Sequence, residues 1–392
     1  MFKQIAALTK LNLRSIPQRW GMSLATVFSV ALVVLVLMAF LAMANGFKAT
    51  LSGSGSTDVA VMLRKGAQAE LNSGISLAQL RLIREAPGIA RNADGNTIVS
   101  GELYVIVDGL KRTTLTDVNL PLRGVEPDAL VLRQGLKIVE GHMFGSGSNE
   151  LIVGQAILRE FAGFDLGSEV RLGTATWKVV GVFSTGGTVF ESEIWADAGS
   201  IQSLYQRGSG YQSVRAKLDG ADGLKALQDW AENEPTLNLD IITEKEFFSG
   251  QASGITNIIL YMGWPLAIVM AFGALAGAWN TMYASVEART REIATLRAIG
   301  FAGFAAFVST LVEALLLAFV GGLVGSVLAW LIFNGISAST LGGNFTQVVF
   351  AFEVTGEAVQ SGIVMALIIG LLGGIIPSIR AARVPLLSVH GG

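Results

Sequence analysis

Residues 286–300 read VEARTREIATLRAIG, and this charged segment lies between two long apolar stretches. Val286, Ile293 and Leu296 recur at spacings of seven and three residues, which places them on one side of a helix. Charged side chains occupy the other faces. The pattern predicts an amphipathic helix over residues 285–300. Such a helix can lie on a membrane, dock in a groove of a partner protein or remain solvated, and the residues alone leave these alternatives open.

Four windows of the chain are apolar and long enough to cross a bilayer, whose hydrocarbon core is roughly 30 Å thick. They cover residues 21–47, 256–283, 305–334 and 358–379. The first window is too long for the apolar part of a signal peptide, so we interpret it as a retained helix. Residues 1–20 before it are expected to form an amphipathic helix. The sequence therefore predicts an α-helical membrane protein with four transmembrane helices.

Lysine and arginine in the short segments predict the orientation, because they accumulate on the cytoplasmic side. They precede the first span, separate the second from the third, and follow the fourth: Lys3, Lys10, Arg14, Arg19, Arg289, Arg291, Arg297, Arg380 and Arg383. The loop over residues 336–357 has neither residue type and is predicted outside. Both termini, including the tail over residues 380–392, are predicted to be cytoplasmic.

This topology places residues 48–253 outside the cytoplasm, where we predict an α+β domain. Residues 59–63, 76–85 and 97–103 have the pattern strand, helix, strand, and residues 214–218, 224–231 and 237–242 repeat it. The two units are expected to pair into one α/β module close to the membrane. Short β-type runs over about 104–205 indicate a β-rich subdomain inserted into that module. One continuous α+β domain without a boundary is the alternative.

The composition offers little for catalysis. A net charge of −2 argues against nucleic acid as a partner. His142 and His390 are the only histidines and cysteine is absent, which excludes a His/Cys metal cluster. No Gly-Lys-Ser/Thr triplet of a phosphate-binding loop occurs, and the polar stretch from Ser184 to Thr188 is interpreted as a loop. We predict a non-catalytic chain without catalytic or metal-ligating residues.

Glu313 is the only ionisable side chain deep in a predicted span, where a charge costs on the order of 2.5–3.5 kcal/mol on insertion scales. One interpretation is a hydrogen-bonded pivot that links the third span to its neighbours. The other is a carboxylate in a wet cytoplasmic notch near Arg297. A proton relay is not predicted, because it would need further ionisable partners within the spans.

Glycines recur four residues apart in the last three spans, a spacing that lets helices approach closely in lipid. The pairs are Gly273 and Gly277, Gly321 and Gly325, and Gly370 and Gly374. We predict that they form helix-packing surfaces.

Several motifs together carry a family resemblance. They are NLR at residues 12–14, PLRGV at 121–125, the run over 150–182, the motif at 286–300, Glu313, and PSIRAARVP at 377–385. With them, the chain resembles the MacB/FtsX/LolC-type permeases of ABC transporters, the mechanotransmission group. It departs from the MacB branch in carrying no fused ATPase. The resemblance implies that the 285–300 helix couples to an ATPase through Val286, Glu287, Arg289, Arg291, Glu292, Ile293, Leu296 and Arg297.

The resemblance also implies the partners and the setting. It implies a homodimer, or a heterodimer with a related permease, in the bacterial inner membrane and in contact with membrane lipid. Two copies of a separate ABC ATPase would hold ATP and Mg, with no cofactor on this chain. A periplasmic adaptor would favour export, whereas a lipoprotein carrier would favour extraction of a lipid or lipoprotein. A receptor or signalling scaffold that senses a ligand or regulates a periplasmic enzyme is the alternative from another class.

Overall fold

The computed structural model describes residues 2–133, 135–234 and 236–384. The helices are α1 (Phe2–Ser15), α2 (Trp20–Ser52), α3 (Leu77–Arg84), α4 (Ala129–Leu132), α5 (Gln155–Glu160), α6 (Ala198–Leu204), α7 (Gly223–Asn233), α8 (Glu244–Ala288), α9 (Thr290–Ala298), α10 (Gly303–Phe333) and α11 (Gly356–Ala382). The strands are β1 (Val59–Arg64), β2 (Val99–Lys111), β3 (Asp117–Val125), β4 (Lys137–Gly141), β5 (Glu150–Gly154), β6 (Phe161–Ala162), β7 (Glu169–Leu172), β8 (Ala175–Ser184), β9 (Ile194–Asp197), β10 (Ser213–Lys217), β11 (Leu239–Thr243), β12 (Ser337–Leu341) and β13 (Gln347–Ala351).

The chain divides into two compact units. The helical unit comprises the described parts of residues 1–45, 257–336 and 352–392, and the sheet domain comprises those of residues 46–256 and 337–351. Within the described residues, α2, α8, α10 and α11 are the helices long and apolar enough to cross a membrane. The predicted fold class, four spanning helices with a mixed α/β domain between the first two, is confirmed.

The spanning helices are longer than the predicted windows. α8 has 45 residues, which corresponds to about 68 Å at 1.5 Å per residue. It begins at Glu244, twelve residues before the predicted start of the second span, because a capping box starts it. The Thr243 hydroxyl accepts from the Glu246 N–H at 3.1 Å, and the Glu246 carboxylate accepts from the Thr243 N–H at 3.1 Å. Hydropathy marked only the apolar part of this helix.

The predicted packing glycines differ in their surroundings. A Cβ added at Gly321 or Gly325 of α10 would lie 2.8 or 2.5 Å from a carbonyl oxygen of α2. A Cβ at Gly370 or Gly374 of α11 would lie 2.5 or 2.6 Å from an alanine Cβ of α10. By contrast, among the residues that the structure describes, a Cβ at Gly273 would meet no heavy atom of another part of the chain within 4 Å, and one at Gly277 would meet only a serine oxygen at 3.7 Å. Close helix approach therefore involves α2, α10 and α11, and a packing role for the α8 pair stays a prediction.

The sheet domain is built on one connected sheet with the strand order β11-β1-β10-β2-β3-β9-β5-β8-β4, to which β6 and β7 are added at β2 and β8. β1 from the first strand-helix-strand unit lies between β10 and β11 from the second, so the two units interleave in space. The 13-residue strand β2 pairs with β10 through its first residues and with β3 through the rest. Because β2 belongs to both parts of the sheet, the subdomain boundary near residue 104 stays a prediction.

A two-stranded hairpin occupies most of the segment predicted as an outer loop over residues 336–357. β12 and β13 pair antiparallel, and residues 337–351 cluster with the sheet domain. Phe350 of β13 packs edge to face on Phe47 at a ring-centroid distance of 5.5 Å. The segment was predicted as a loop because it lacks Lys and Arg, whereas its apolar run Val348-Val349-Phe350 forms the buried part of β13.

Candidate functional site: the polar junction of the helical unit

The predicted helix over residues 285–300 is divided in two. α8 ends at Ala288 and α9 begins at Thr290, with Arg289 between them at φ −107° and ψ 9°. This ψ departs from the value near −42° of an α-helix. The Arg289 N–H accordingly reaches back only three residues, to the Val286 carbonyl at 3.2 Å. Gly300 closes the segment in the left-handed region at φ +100°, a conformation that suits glycine.

The apolar stripe of this segment is covered by the chain itself. Val286, Ile293 and Ala294 form a buried cluster with Ala306 of α10, Ala381 of α11 and Val384. The stripe therefore holds α9 against α10 and the end of α11. Leu296 is half-buried. Val286 and Ile293 thus lie inside the chain, where apolar parts of the same unit meet, and their coupling to an ATPase stays a prediction.

The charged residues of the segment separate into two groups. Arg289 is only 7% exposed, and its Nε donates to Glu292 Oε2 at 3.1 Å. Glu287, Arg291 and Glu292 are exposed. Arg289 and Arg291 were predicted to share one role, whereas the structure places the first inside the chain and the second on its surface.

Glu313 lies in α10 with 2% exposure, between two arginines from other elements. Its Oε1 is 3.3 Å from Arg19 Nη2, and its Oε2 is 3.8 Å from Arg289 Nη1. The Ser285 hydroxyl donates to Oε1 at 3.5 Å and itself accepts from Arg19 Nη1. Because Arg19 lies between α1 and α2 and Arg289 separates α8 from α9, one carboxylate joins two connections of the helical unit to α10. We call Arg19, Ser285, Arg289 and Glu313 the polar junction.

The predicted neighbour of Glu313 is wrong. Arg297 instead donates through Nη1 to the Val384 carbonyl and so holds the end of α11 to α9. The space beside Glu313 is a cavity of only about 10 Å³, at the lower limit for a single water molecule. Burial, two cations and a hydroxyl donor give Glu313 the surroundings expected of a hydrogen-bonded pivot, a role that stays a prediction.

The N-terminal helix reaches the same region, a link that the sequence analysis missed. Leu8 and Asn12 of α1 are buried, and Asn12 Nδ2 donates to the Ser309 hydroxyl of α10. Gln4 Nε2 donates to the Gly300 carbonyl at 3.2 Å. Asn12 was noted only as part of the family motif; a buried amide on an amphipathic helix was the available signal.

The remaining sequence candidates fall elsewhere. His142 is exposed, whereas His390 and the tail from residue 385 onward lie outside the described residues. Among the described residues there is no group of three or more His, Cys, Asp or Glu that could hold a metal ion. The loop from Ser184 to Thr188 is filled by the chain's own Glu191, whose Oε1 accepts from the N–H groups of Thr185 at 2.8 Å and Gly187 at 3.0 Å. Burial raises the pKa of Glu191, but the hydrogen bonds from Ser184, Gly187 and Thr185 outweigh it and lower the pKa.

Two family models match the chain in sequence order. The model for the MacB-like periplasmic core domain matches residues 23–234, more than half of the chain, and the model for the FtsX-like permease C-terminal region matches residues 265–386. The chain belongs to the MacB/FtsX family of ABC transporter permeases. The second match contains α9, α10 and α11, so most of the polar junction of this MacB/FtsX-type permease lies within it. Its four apolar helices and its family make it a multi-pass protein of the bacterial inner membrane.

Individual relatives resemble the permease over different lengths. It is 24% identical to the uncharacterized ABC transporter permease YvrN of Bacillus subtilis (strain 168), with 95% of this chain and 96% of YvrN aligned. It is 23% identical to the macrolide export ATP-binding/permease protein MacB of Shewanella oneidensis, of which it spans 55%. The crystal structure of the periplasmic region of MacB from Actinobacillus actinomycetemcomitans is similar at 14% identity with a TM-score of 0.37, over 50% of this chain and 92% of that one.

Proposed function

We propose that this permease is the non-catalytic transmembrane subunit of an ABC transporter, and that it transmits the motion of a separate ATPase subunit to its sheet domain. The observation that carries the proposal is the polar junction. Glu313 joins the α8–α9 break to α10 and to the end of α1, so a force on α9 reaches the other helices through paired side chains. The segment 285–300 is then a handle, as the family resemblance implies.

The surface offered to the ATPase is the exposed part of the handle. Glu287, Arg291 and Glu292 point away from the buried stripe, and the guanidinium of Arg291 can bind a carboxylate through two parallel N–H groups. Arg289 positions the handle from inside. ATP and Mg are held by the ATPase, of which two copies serve a dimer of permeases, either identical or related. The name of the Shewanella relative, an ATP-binding/permease protein, includes both the ATP-binding and the permease function.

The sheet domain is the part that acts on the substrate. Both termini and α9 lie in the cytoplasm in this proposal, since the arginine-rich segments favour that side, and the sheet domain lies in the periplasm. α8 is one helix from Glu244 to Ala288, so its first turns lie in the sheet domain and its last turn at the handle. Motion of the sheet domain in the periplasm would serve export, or the extraction of a lipid, lipoprotein or other periplasmic-side substrate. A periplasmic adaptor or a lipoprotein carrier is the corresponding further partner.

The handle is tested by reversing one exposed charge. Arg291→Glu should reduce co-purification of the ABC ATPase subunit and its ATP turnover in the complex, while the chain still inserts into the membrane. Lys10→Glu is the matched control, because it makes the same charge change on an exposed position of α1. ATPase binding that is undiminished in Arg291→Glu would overturn the proposed handle.

The orientation is tested in the cysteine-free chain. A cysteine at exposed Ser209 of the sheet domain should react with a membrane-impermeant thiol reagent in cells with a permeabilised outer membrane, whereas one at exposed Ala298 of α9 should not. The reverse labelling would overturn the proposed topology and, with it, the function.

A further inference from the structure

Seven buried charged side chains of the sheet domain form one connected set, separate from the polar junction. None of them is more than 4% exposed: Glu70, Glu102, Glu193, Glu244, Arg123, Arg133 and Arg215. We call this set the ionic network. Isolated buried charges are costly, and even paired ones are often replaced by apolar residues without loss of stability. Stability alone therefore does not account for a network of this size.

Arg123 of β3 is the centre of the network. Its Nε and Nη2 donate to the two carboxylate oxygens of Glu193, both at 2.7 Å. Its Nη1 and Nη2 donate to the two oxygens of Glu70 at 2.8 and 2.9 Å. Paired donors of this kind fix direction as well as distance. Arg123 thereby sets the position of two carboxylates from distant parts of the chain.

Glu102 of β2 extends the network to two further arginines. Its Oε2 accepts from Arg133 Nη2 at 2.8 Å and from Arg215 Nη1 at 2.6 Å. Burial raises the pKa of Glu102, but Arg133, Arg215 and Arg123 outweigh it and hold that pKa below its usual range. Burial likewise raises the pKa of Glu70, and Arg123 and Arg215 hold it well below that range. These two carboxylates are therefore charged at neutral pH.

Glu244, the first residue of α8, joins the network to two chain connections. Its Oε1 accepts from Arg215 Nε of β10 at 3.0 Å, and its Oε2 accepts from the Ser56 N–H at 3.3 Å. Ser56 lies in the loop that follows α2. Gly55 of the same loop has φ +85°, and a Cβ there would lie 2.8 Å from the Glu244 carbonyl group. One carboxylate thus holds the start of α8, the end of α2 and the sheet together.

The hairpin formed by β12 and β13 reaches the same place. The Tyr104 hydroxyl is 2.7 Å from the Thr346 hydroxyl, and the Arg123 guanidinium lies 5.0 Å above the Tyr104 ring. The Val349 N–H donates to the hydroxyl of Ser192, the neighbour of Glu193, at 3.0 Å. The parts of the sheet domain that lead to α2, α8, α10 and α11 therefore all contact the network or a residue bonded to it.

We infer that the ionic network is a rigid joint that makes the start of α8, the exit of α2, the hairpin and the sheet move as one body, with Glu244 as its positioning residue. The role of this joint rests on the proposed function, because a rigid joint would pass the motion of the spanning helices to the whole sheet. Its geometry does not depend on an ATPase. The opposing charges resist sliding, since a shift of any carboxylate breaks at least one of its ion pairs with a buried arginine.

The joint is tested by a distance measurement in the full chain without nucleotide. Spin labels are placed on cysteines at Ser203 of α6 and Gly250 of α8, both exposed in a chain without native cysteine. The parent chain should give one narrow distance distribution. Glu244→Gln keeps the size of the side chain but leaves one amide oxygen to accept from the two donors, Arg215 Nε and the Ser56 N–H. The distance distribution should therefore broaden or gain a second distance. Lys245→Gln, an exposed change at the next residue, should leave it narrow.

A second variant separates a loose joint from a loss of folding. Gly55→Ala changes no charge but presses a methyl group against the Glu244 carbonyl group at a backbone φ of +85°, so some stability of the loop is lost. It should broaden the same distribution while the full chain still unfolds in one cooperative thermal transition above the temperature of the distance measurement. Distributions that remain as narrow as the parent's in both variants would overturn the joint. Because no ATPase takes part, failure of the ATPase to bind would count against the proposed function and leave this result unaffected.

Discussion

The two buried charge clusters of this permease use the same side chains in different geometries. In the ionic network, Arg123 meets Glu193 and Glu70 through paired donors at 2.7–2.9 Å. In the polar junction, Glu313 meets Arg19 and Arg289 at 3.3 and 3.8 Å, through one oxygen each. Paired, short contacts fix an orientation, whereas single, longer contacts allow partners to rotate and exchange.

The carboxylate partners available to Arg289 and to Arg123 also differ. Arg289 is shared between buried Glu313 and exposed Glu292, so a displacement of α9 can shift it from one carboxylate to the other. Within the described part of the chain, the carboxylates paired with Arg123 are all buried. In the proposed mechanism, the polar junction is accordingly the part that changes its ion pairs, and the ionic network is the part that keeps them.

The largest effect is expected for Arg123→Met. It removes the shared cation and leaves Glu70 and Glu193 buried without their main partner, which should cost about 3–5 kcal/mol of stability in the sheet domain. Hydrogen exchange of β2 and β3 in the full chain measures the loss. Arg112→Met, which breaks an exposed pair with Asp165, is the control. A loss no larger than that of the control would show that the network does not act as a unit.

The second effect concerns Glu313. Glu313→Leu removes the carboxylate that pairs with Arg19 and Arg289 and accepts from Ser285. This should cost about 1–3 kcal/mol and abolish coupled ATP turnover. Glu313→Gln retains size and an acceptor, so much of the turnover should remain. Thermal unfolding in detergent and ATP turnover of the complex are the measurements. If both variants behave like the parent chain, Glu313 is a tolerated carboxylate and the pivot is wrong.

The sequence predicted the four spans and several strands of the sheet domain, but not the faces of those strands. In β2 and β10, polar residues such as Glu102, Ser213 and Arg215 alternate with apolar ones, a pattern typical of a strand with one solvated face. Here the polar face is buried instead, because Glu70, Glu193 and the first turn of α8 cover it. Partners up to 145 residues apart in the sequence form these contacts. No local pattern carries that information.

Of the polar junction, the sequence indicated Glu313 but not the arginines that pair with it. Glu313 stands out because it interrupts an apolar window, and a charge in lipid needs a partner. Its partners do not stand out, since Arg19 and Arg289 fit the arginine-rich segments that set orientation. Arg297 was nearer in sequence to the third span, but the break at Arg289 turns Arg297 toward Val384. The ion pairs of Glu313 thus depend on the break between α8 and α9, which the periodicity of the sequence did not reveal.

The third effect is the pH dependence of the stability that the ionic network contributes. Glu70 and Glu102 have pKa values lowered in the folded sheet domain, so the stability they contribute is present above the unfolded pKa of about 4.3. It is lost as pH falls through their folded values. Sheet-domain stability should therefore stay level from pH 7 to about pH 5 and decline only in stronger acid. Hydrogen exchange of β2 and β10 across this range is the measurement. A decline that begins near neutral pH would contradict the charged state of the network.

The smallest effect is expected for an ion pair at the surface of the same domain. Arg84 and Glu126 lie 2.8 Å apart, as close as the pairs of the network, but the Arg84 side chain is 45% exposed. Glu126 keeps its other donors after Arg84→Ala, since the Gly101 N–H at 2.7 Å and the Tyr211 hydroxyl at 3.2 Å remain. Exposed pairs contribute about 0–1 kcal/mol, so hydrogen exchange of β2 should barely change. A loss comparable to that of Arg123→Met would mean that distance, and not burial with paired donors, determines what these contacts contribute.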